Sequence, residues 1–220
     1  MTPRQHFDEQ LKLLNREMQK MGSLIERALK GAAYALNNND RRKARHIIET
    51  DEQINRKERD IETQCIKLLL QQQPVARDLR VISSALKMIT DMERIGDQAA
   101  DICEILLTCD KPLATKNAEH MPELAEATTA MVSGAIQAFV ERDVERAKLV
   151  MQQDSIVDGL FMVVRQELVE LIRMHDSLSE AAVDYLMIAK YFERIGDHAQ
   201  NIAEWVEYSL TGYYKGELLG

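Results

Sequence analysis

The chain has few of the residues that break helices or cross-link small domains. Its 220 residues include nine Gly, four Pro and three Cys, and aromatic residues make up only 5%. Scarce Gly and Pro, with abundant Ala, Leu, Glu, Gln, Lys and Arg, predict an all-α protein. Because the cysteines are odd in number and form no Cys-x-x-Cys pair, we expect Cys65, Cys103 and Cys109 to be reduced thiols.

Excess positive charge and long apolar runs are also missing. The formal net charge is −8 at pH 7, which argues against direct binding to nucleic acid or to an anionic membrane. No apolar run approaches the roughly 20 residues that span a bilayer. The polar segment 1–10 has no signal-peptide core, so we expect a cytoplasmic protein.

What the sequence has instead is an internal duplication. Glu93-Arg94-Ile95-Gly96-Asp97 recurs without change at 193–197, one hundred residues later. Weaker matches precede it at an offset of 103, where Asp51 reappears as Asp154. A period of about a hundred residues is too long for a solenoid and predicts two tandem domains.

Apolar residues at alternating spacings of three and four predict six long helices. Polar or Pro-containing breaks between them are expected at 38–40, 73–76, 108–121, 141–143 and 175–178. We therefore predict an all-α fold of two tandem antiparallel three-helix bundles, more than about 75% helical. The predicted divisions are a first domain at 1–110, a linker at 111–121, a second domain at 122–212 and a C-terminal tail at 213–220.

Acidic residues interrupt the rows of apolar residues that these helices are expected to bury. Asp51 and Glu93 in the first unit, like Asp154 and Glu193 in the second, stand where the heptad requires an apolar residue. Because an unpaired buried carboxylate is costly, these acids need a cation, a proton or solvent.

The antiparallel pairing of the helices determines which acidic residues lie at the same height along the bundle axis. An antiparallel hairpin turning near residue 73 brings Asp51 opposite the pair Glu93 and Asp97, and places Asn55 opposite Asp91. The second hairpin repeats this arrangement, with Asp154 near Glu193 and Asp197. Each unit is therefore expected to gather three or more acidic side chains at one height.

Two interpretations of these clusters stay open at this stage. Oxygen-rich sites suit cations such as Fe, Mn, Mg or Ca, and acids four residues apart on a helix point the same way. Alternatively, Arg94 and Arg194 neutralise the acids in a structural ion-pair network. The Glu-x-x-His ligand pair of carboxylate-bridged metal bundles is missing, and His198 adjoins only the second cluster.

Three segments then carry a resemblance that covers essentially the whole chain. They are PVARDLR at 74–80, DMERIGD at 91–97 and YFERIGDHAQNI at 191–202, and together they resemble the PhoU family of phosphate-specific transport system accessory proteins. The resemblance implies a cytoplasmic, usually dimeric protein with two PhoU domains. It also implies a negative regulator of the phosphate-starvation response that modulates phosphate uptake. Its implied partners are the ATPase subunit of the phosphate ABC transporter and a two-component sensor histidine kinase, with the membrane contacted only through them.

Some members of the family hold iron or other metal clusters on these motifs, so Fe, Mn, Zn or Mg are the expected ions. By position, the resemblance adds Asp101 in the first unit and Asn201 in the second. Because Asn201 stands in place of Asp101, and Tyr191 in place of Asp91, the second site is expected to bind metal more weakly. The candidate metal ligands are Asp51, Glu93, Asp97, Asp101, Asp154, Asp158, Glu193, Asp197 and Asn201.

We interpret the chain as a regulatory adaptor and not an enzyme, since it has no recognisable nucleophile–base constellation or nucleotide motif. No catalytic residue and no further cofactor site is predicted. A metal-dependent enzyme built on the carboxylate clusters is the alternative from another class. A transporter chaperone without a signalling role is a third interpretation.

Overall fold

The protein is described by a computed structural model that covers residues 3–71, 75–114 and 117–218. Helices account for 89% of these residues, so the predicted all-α class is confirmed. The described residues form six long helices, α1 Pro3–Asn38, α2 Arg41–Gln71, α3 Ala76–Thr108, α4 Met121–Glu141, α5 Val144–Met174 and α6 Ser179–Thr211. The predicted breaks coincide with the helix ends, although residues 72–74 and 115–116 lie outside the described part.

Two equivalent turns show the duplication in local geometry. Asp40 precedes α2 and Asp143 precedes α5, and each accepts a hydrogen bond through Oδ1 from the backbone amide three residues later, at 2.9 and 3.0 Å. Both are N-cap residues, which satisfy one of the free amides of a helix start. The residues before them, Asn39 and Arg142, have left-handed φ angles of 49° and 57°, which end α1 and α4.

The six helices form two antiparallel three-helix bundles that share one core. Helices α1–α3 make the first bundle and α4–α6 the second, and the bundles meet where α3 packs against α6 and α1 against α4. Their buried apolar side chains form a single continuous cluster. The central helices α3 and α6 also hold the repeated Glu-Arg-Ile-Gly-Asp segments. In the part of the chain that is described, no helix is both long and apolar enough to cross a membrane.

Within the segment assigned to a C-terminal tail, residues 213–218 form a short hairpin. Gly212, with a φ of 85°, ends α6. Strands β1 Tyr213–Tyr214 and β2 Glu217–Leu218 then pair antiparallel. The two residues between the strands, Lys215 and Gly216, both have positive φ, as a tight two-residue hairpin turn of type I′ requires.

Candidate metal clusters and the helix pair between them

The first acidic cluster lies where α2 packs against α3. Asp51 of α2 comes so close to Gly96 of α3 that a Cβ on this glycine would stand 3.3 Å from Asp51 Oδ1. Asn55, one turn after Asp51, donates from Nδ2 to Asp51 Oδ2 at 3.0 Å. The other side-chain oxygens of Asp51 and Asn55 are buried and have no hydrogen-bond partner. These two orphaned oxygen atoms would be satisfied by a cation or a proton.

The acids of the first cluster repel one another. Burial, followed by the charge of Asp97, raises the pKa of Asp51 to about 6. Burial also raises the pKa of Glu93 and of Asp97, with further contributions from Asp97 and Asp101 respectively. The predicted approach of Asp51 to the pair on α3 is therefore confirmed. Sequence reasoning missed Glu58, whose charge also raises the pKa of Glu93 and whose place in the apolar row of α2 was the available signal.

The second cluster repeats this arrangement between α5 and α6. Burial, and then the charges of Asp158, Asp197 and Glu193, raise the pKa of Asp154 to about 6. Partial desolvation by the surrounding protein, followed by the charge of Glu193, also raises the pKa of Asp197, although its side chain keeps contact with solvent. Asp158 and Asp197 are exposed, whereas Asp154 and Glu193 are half-buried. The second cluster is thus more open to solvent than the first.

A lysine distinguishes the second cluster from the first. Both carboxylate oxygens of Glu193 lie 2.5 Å from Nζ of Lys190, one turn earlier on α6. The ammonium group of Lys190 also lies 5.3 Å from the ring centroid of Phe161 on α5, within the range of a cation–π contact. The equivalent residue in the first unit is Thr90, which carries no charge. The second cluster therefore already contains a cation.

The two arginines of the repeated segment do not neutralise the clusters. Arg94 and Arg194 are exposed, and within residues 3–71, 75–114 and 117–218 neither forms an ion pair or a hydrogen bond through its side chain. The charge of Arg94 lowers the pKa of Glu93 and Asp97, but burial and the neighbouring acids outweigh it. The alternative of a structural ion-pair network built on these arginines is therefore wrong.

Positions at which the two units differ lie between the clusters, where α3 and α6 run antiparallel. Asp91 Oδ1 is 2.8 Å from Nδ1 of His198 and accepts a hydrogen bond from Asn201 Nδ2 at 3.2 Å. On the far side of the imidazole, Gln98 Nε2 is 3.3 Å from His198 Nε2. In this orientation of the Gln98 amide, its nitrogen donates to Nε2, and Nδ1 then donates to Asp91.

The other end of the helix pair holds the matching contact. Tyr191, the counterpart of Asp91, faces Asp101, the counterpart of Asn201. Burial and the charge of Asp101 raise the pKa of the Tyr191 hydroxyl. Asn201 thus hydrogen bonds across the helix pair, and Asp91 faces α6 rather than Asn55, which corrects the predicted pairing. The residues that break the repeat form a complementary set of contacts between the two halves.

The donor set fits a hard cation better in the first cluster than in the second. The first cluster includes two side-chain oxygens that are buried and have no partner. In the second cluster, the Glu193 carboxylate is already paired with the ammonium group of Lys190. As the side chains stand, no three His, Cys, Asp or Glu of the described ranges come together in a way that could hold an ion. Binding a metal would require carboxylates to rotate towards a common point. The candidate ligands stay predictions.

The fold and its paired acidic clusters define a helical bundle made of two copies of one unit. Residues 18–106 and 121–206 each match the PhoU domain family, and the chain belongs to that family. A relative from Thermotoga maritima, named phosphate-specific transport system accessory protein PhoU homolog 1, is 33% identical over 97% of this chain and 93% of its own length.

Two solved structures share this fold over nearly their whole length. The crystal structure of PhoU from Pseudomonas aeruginosa has a TM-score of 0.91 and 32% identity, and it covers 94% of this chain and 100% of that chain. The phosphate transport system regulatory protein PhoU from Streptococcus pneumoniae has a TM-score of 0.85 and 28% identity, covering 97% and 99%. The resemblance drawn from the three sequence segments is therefore confirmed.

Proposed function

We propose that this protein is a cytoplasmic regulatory adaptor that represses the phosphate-starvation response when phosphate is plentiful. It would do so by binding the ATPase subunit of the phosphate ABC transporter and a two-component sensor histidine kinase, and so modulate phosphate uptake. The observation that supports this role is membership of the PhoU family in both halves of the chain, with a relative similar over nearly its whole length. Adaptors of this kind act by shifting a binding equilibrium between partners.

The chemistry of the buried nucleophiles favours binding over catalysis. Burial raises the pKa of Cys65 and of Cys103 to about 12, and burial together with Asp184 raises the pKa of Cys109. These thiols stay protonated at neutral pH, and a protonated thiol is a poor nucleophile and a poor metal ligand. The protein is therefore proposed to be an accessory protein without an enzymatic activity of its own.

We further propose that the acidic clusters bind a divalent cation such as Fe, Mn, Zn or Mg. Asp51, Glu93, Asp97 and Asp101 would hold it in the first cluster. When bound, the cation would supply positive charge that relieves the repulsion between facing carboxylates. Because these acids belong to both α2 and α3, an ion here would tighten the packing of the two helices and so favour one conformation of the bundle.

A homodimer is the proposed oligomeric state, and one helix face supports it. Leu149, Ile156 and Val163 of α5 are spaced seven apart, and they are 59%, 57% and 42% exposed. At the equivalent positions of the first unit the chain has His46, Gln53 and Asp60. An apolar stripe present in only one of two duplicated units suggests a contact surface. Light scattering should give a dimer for the parent and a monomer for Ile156→Glu.

The binding proposal is tested with purified partners. The ATPase subunit of the host's own phosphate transporter and the cytoplasmic part of its phosphate-responsive kinase are each titrated against the full chain by calorimetry. Saturable binding to both supports the adaptor. Binding to the transporter subunit alone would support the chaperone interpretation, and binding to neither would overturn both.

The enzyme alternative is tested in the same preparation. Metal content is measured and the protein is screened for phosphatase and oxidase turnover, with Asp97→Ala as the matched variant. Turnover that disappears with this substitution would overturn the proposal that the protein acts without catalysis.

A further inference from the structure

A cavity of about 290 Å³ opens where the starts of α1 and α3 meet the ends of α4 and α6. Four cationic side chains line it, Arg4, Lys12, Arg77 and Arg142, together with one acidic side chain, Asp78. The chain as a whole has a net charge of −8, whereas the side chains that line this junction of the two bundles carry a net positive charge. Clefts lined by one sign of charge attract the opposite charge.

Most of this positive charge is free. Arg4 donates both terminal nitrogens to the two oxygens of Asp78, at 2.6 and 3.3 Å, and Asp78 is only 4% exposed. This acid is therefore neutralised within the wall of the cavity. Lys12, Arg77 and Arg142 are exposed, and their side chains form no ion pair or hydrogen bond with any other described residue.

A buried hydroxyl also faces the cavity without a partner. Ser84 of α3 lines the cavity and is 1% exposed, and its Oγ forms no hydrogen bond. A serine within a helix usually donates to a carbonyl of the preceding turn, as the adjacent Ser83 does to Arg80 O at 3.1 Å. Because an orphaned buried hydroxyl is costly, it points to a ligand atom at this place.

The duplication provides an internal comparison. Ala85 lines the cavity, and its counterpart in the second unit is Tyr185, which is 5% exposed and donates from its hydroxyl to Leu113 O at 3.3 Å. The counterpart of Arg77 is Ser177. The second unit thus has a large buried side chain and no cation at these positions. The helix α3 therefore contributes a cation and open space to the cavity wall that α6 does not provide at the equivalent positions.

We propose that this cavity binds a phosphate monoester that carries an apolar group. Three free cations match the nearly double negative charge and the three terminal oxygens of a phosphate monoester better than the single negative charge and two oxygens of a carboxylate. The Ser84 hydroxyl supplies a neutral donor. The volume of about 290 Å³ lies just below the roughly 300–1,000 Å³ of small-molecule sites and suits a small ligand. The apolar part of the ligand would pack on Leu11, Leu14, Met18, Phe139, Val206 and Leu210, which also line the cavity.

Phenyl phosphate titrated into the full chain by calorimetry tests this proposal. We expect one site per chain, with inorganic phosphate and phenol each binding more weakly, because each uses only one half of the cavity. Arg77→Ala and Arg142→Asn should each weaken binding about tenfold, as expected for loss of a charge-assisted hydrogen bond. Arg165→Ala, which removes an exposed arginine of α5 outside the cavity, is the matched control and should leave binding unchanged.

A second arm distinguishes a soluble ester from a lipid headgroup. Vesicles of phosphatidylcholine with or without phosphatidic acid are sedimented with the parent and with Arg77→Ala. Binding of either probe that depends on the cavity arginines supports the proposal and identifies the source of the phosphate. Binding of neither probe, or binding that is equal in all variants, overturns it.

Both variants should fold. Arg77 is an exposed residue in the first turn of α3 with no partner, and asparagine tolerates the left-handed backbone of residue 142. This test is separate from the regulatory role, since the probes bind or fail to bind whether or not the transporter and the kinase do.

Discussion

Replacing Asp51 with asparagine should make the metal-free protein more stable at neutral pH. The pKa of Asp51 is raised from 3.8 to about 6 by burial and by Asp97, so its ionised form is disfavoured in the folded state. The contribution of the Asp51 carboxyl to the free energy of unfolding is fully present below about pH 4 and is lost as the pH rises through about 6. The side-chain amide of the Asp51→Asn variant would still accept the hydrogen bond from Asn55 but would carry no charge at any pH.

The size of the effect follows from the pKa. A difference of about 2 units corresponds to about 3 kcal/mol for a group shielded from water. Asp51 is only half-buried, so solvent screening reduces the expected gain to about 1–2 kcal/mol at pH 7.5. At pH 4 the parent carboxyl is itself protonated, and the two proteins should have nearly the same free energy of unfolding.

Urea unfolding followed by circular dichroism, with a chelator present, measures this difference. Asp60→Asn is the matched control, since it removes the same charge from an exposed position on the same helix and should change stability little at either pH. Adding Mn²⁺ in place of the chelator should stabilise the parent more than Asp51→Asn, because ligand binding stabilises only the form that binds.

A free energy of unfolding lower for Asp51→Asn than for the parent at pH 7.5 in chelator would contradict this prediction. The prediction also fails if the difference between the two proteins is the same at pH 4. The first result would mean that a partner other than a bound ion stabilises the Asp51 carboxylate in the folded state. The second would mean that the difference in stability does not arise from ionisation of Asp51.

Three further predictions concern the repeat. Gly96→Ala places a Cβ within 2.8 Å of a side-chain methyl on α2, whereas Gly196→Ala meets nothing closer than 3.2 Å. In urea unfolding, Gly96→Ala should lower the free energy of unfolding by about 1–3 kcal/mol, and Gly196→Ala should change it little. Lys190→Thr frees Glu193 and should raise the Mn²⁺ affinity of the second cluster in a chelator-competition assay, and unchanged affinity would exclude competition by the lysine. Asp91→Asn should cost about 1–3 kcal/mol of unfolding free energy, because it weakens the contact between the halves; a urea midpoint equal to that of the parent would contradict this.

The sequence was sufficient to predict the helices, the duplication and the heights of the acidic residues along the bundle axis. Heptad spacing indicates which face of a helix is buried. The antiparallel pairing of two helices then determines which residues lie opposite each other, as the approach of Asp51 to Asp97 illustrates. The spacing does not report which neighbouring helix covers a given face. The pairing of Asp91 with Asn201 therefore required the structure, since it depends on how α3 packs against α6.

Other features left a local signal that sequence reasoning did not use. Lys190 lies three residues before Glu193, a spacing at which opposite charges pair on a helix. Lys215-Gly216, after Tyr213-Tyr214 and before Glu217-Leu218, suits a tight hairpin turn. The cavity at the junction of the bundles had no such signal, because its walls come from α1, α3, α6 and the end of α4, and their relative placement is a tertiary property.

Deleting the gene for this protein in its own host, with a phosphate-starvation reporter measured in high phosphate, tests the proposed repression of the phosphate-starvation response. We expect the reporter to become active in the deletion strain and to return to its repressed level when the intact gene is restored. Reporter activity that stays repressed after the deletion would contradict the regulatory assignment.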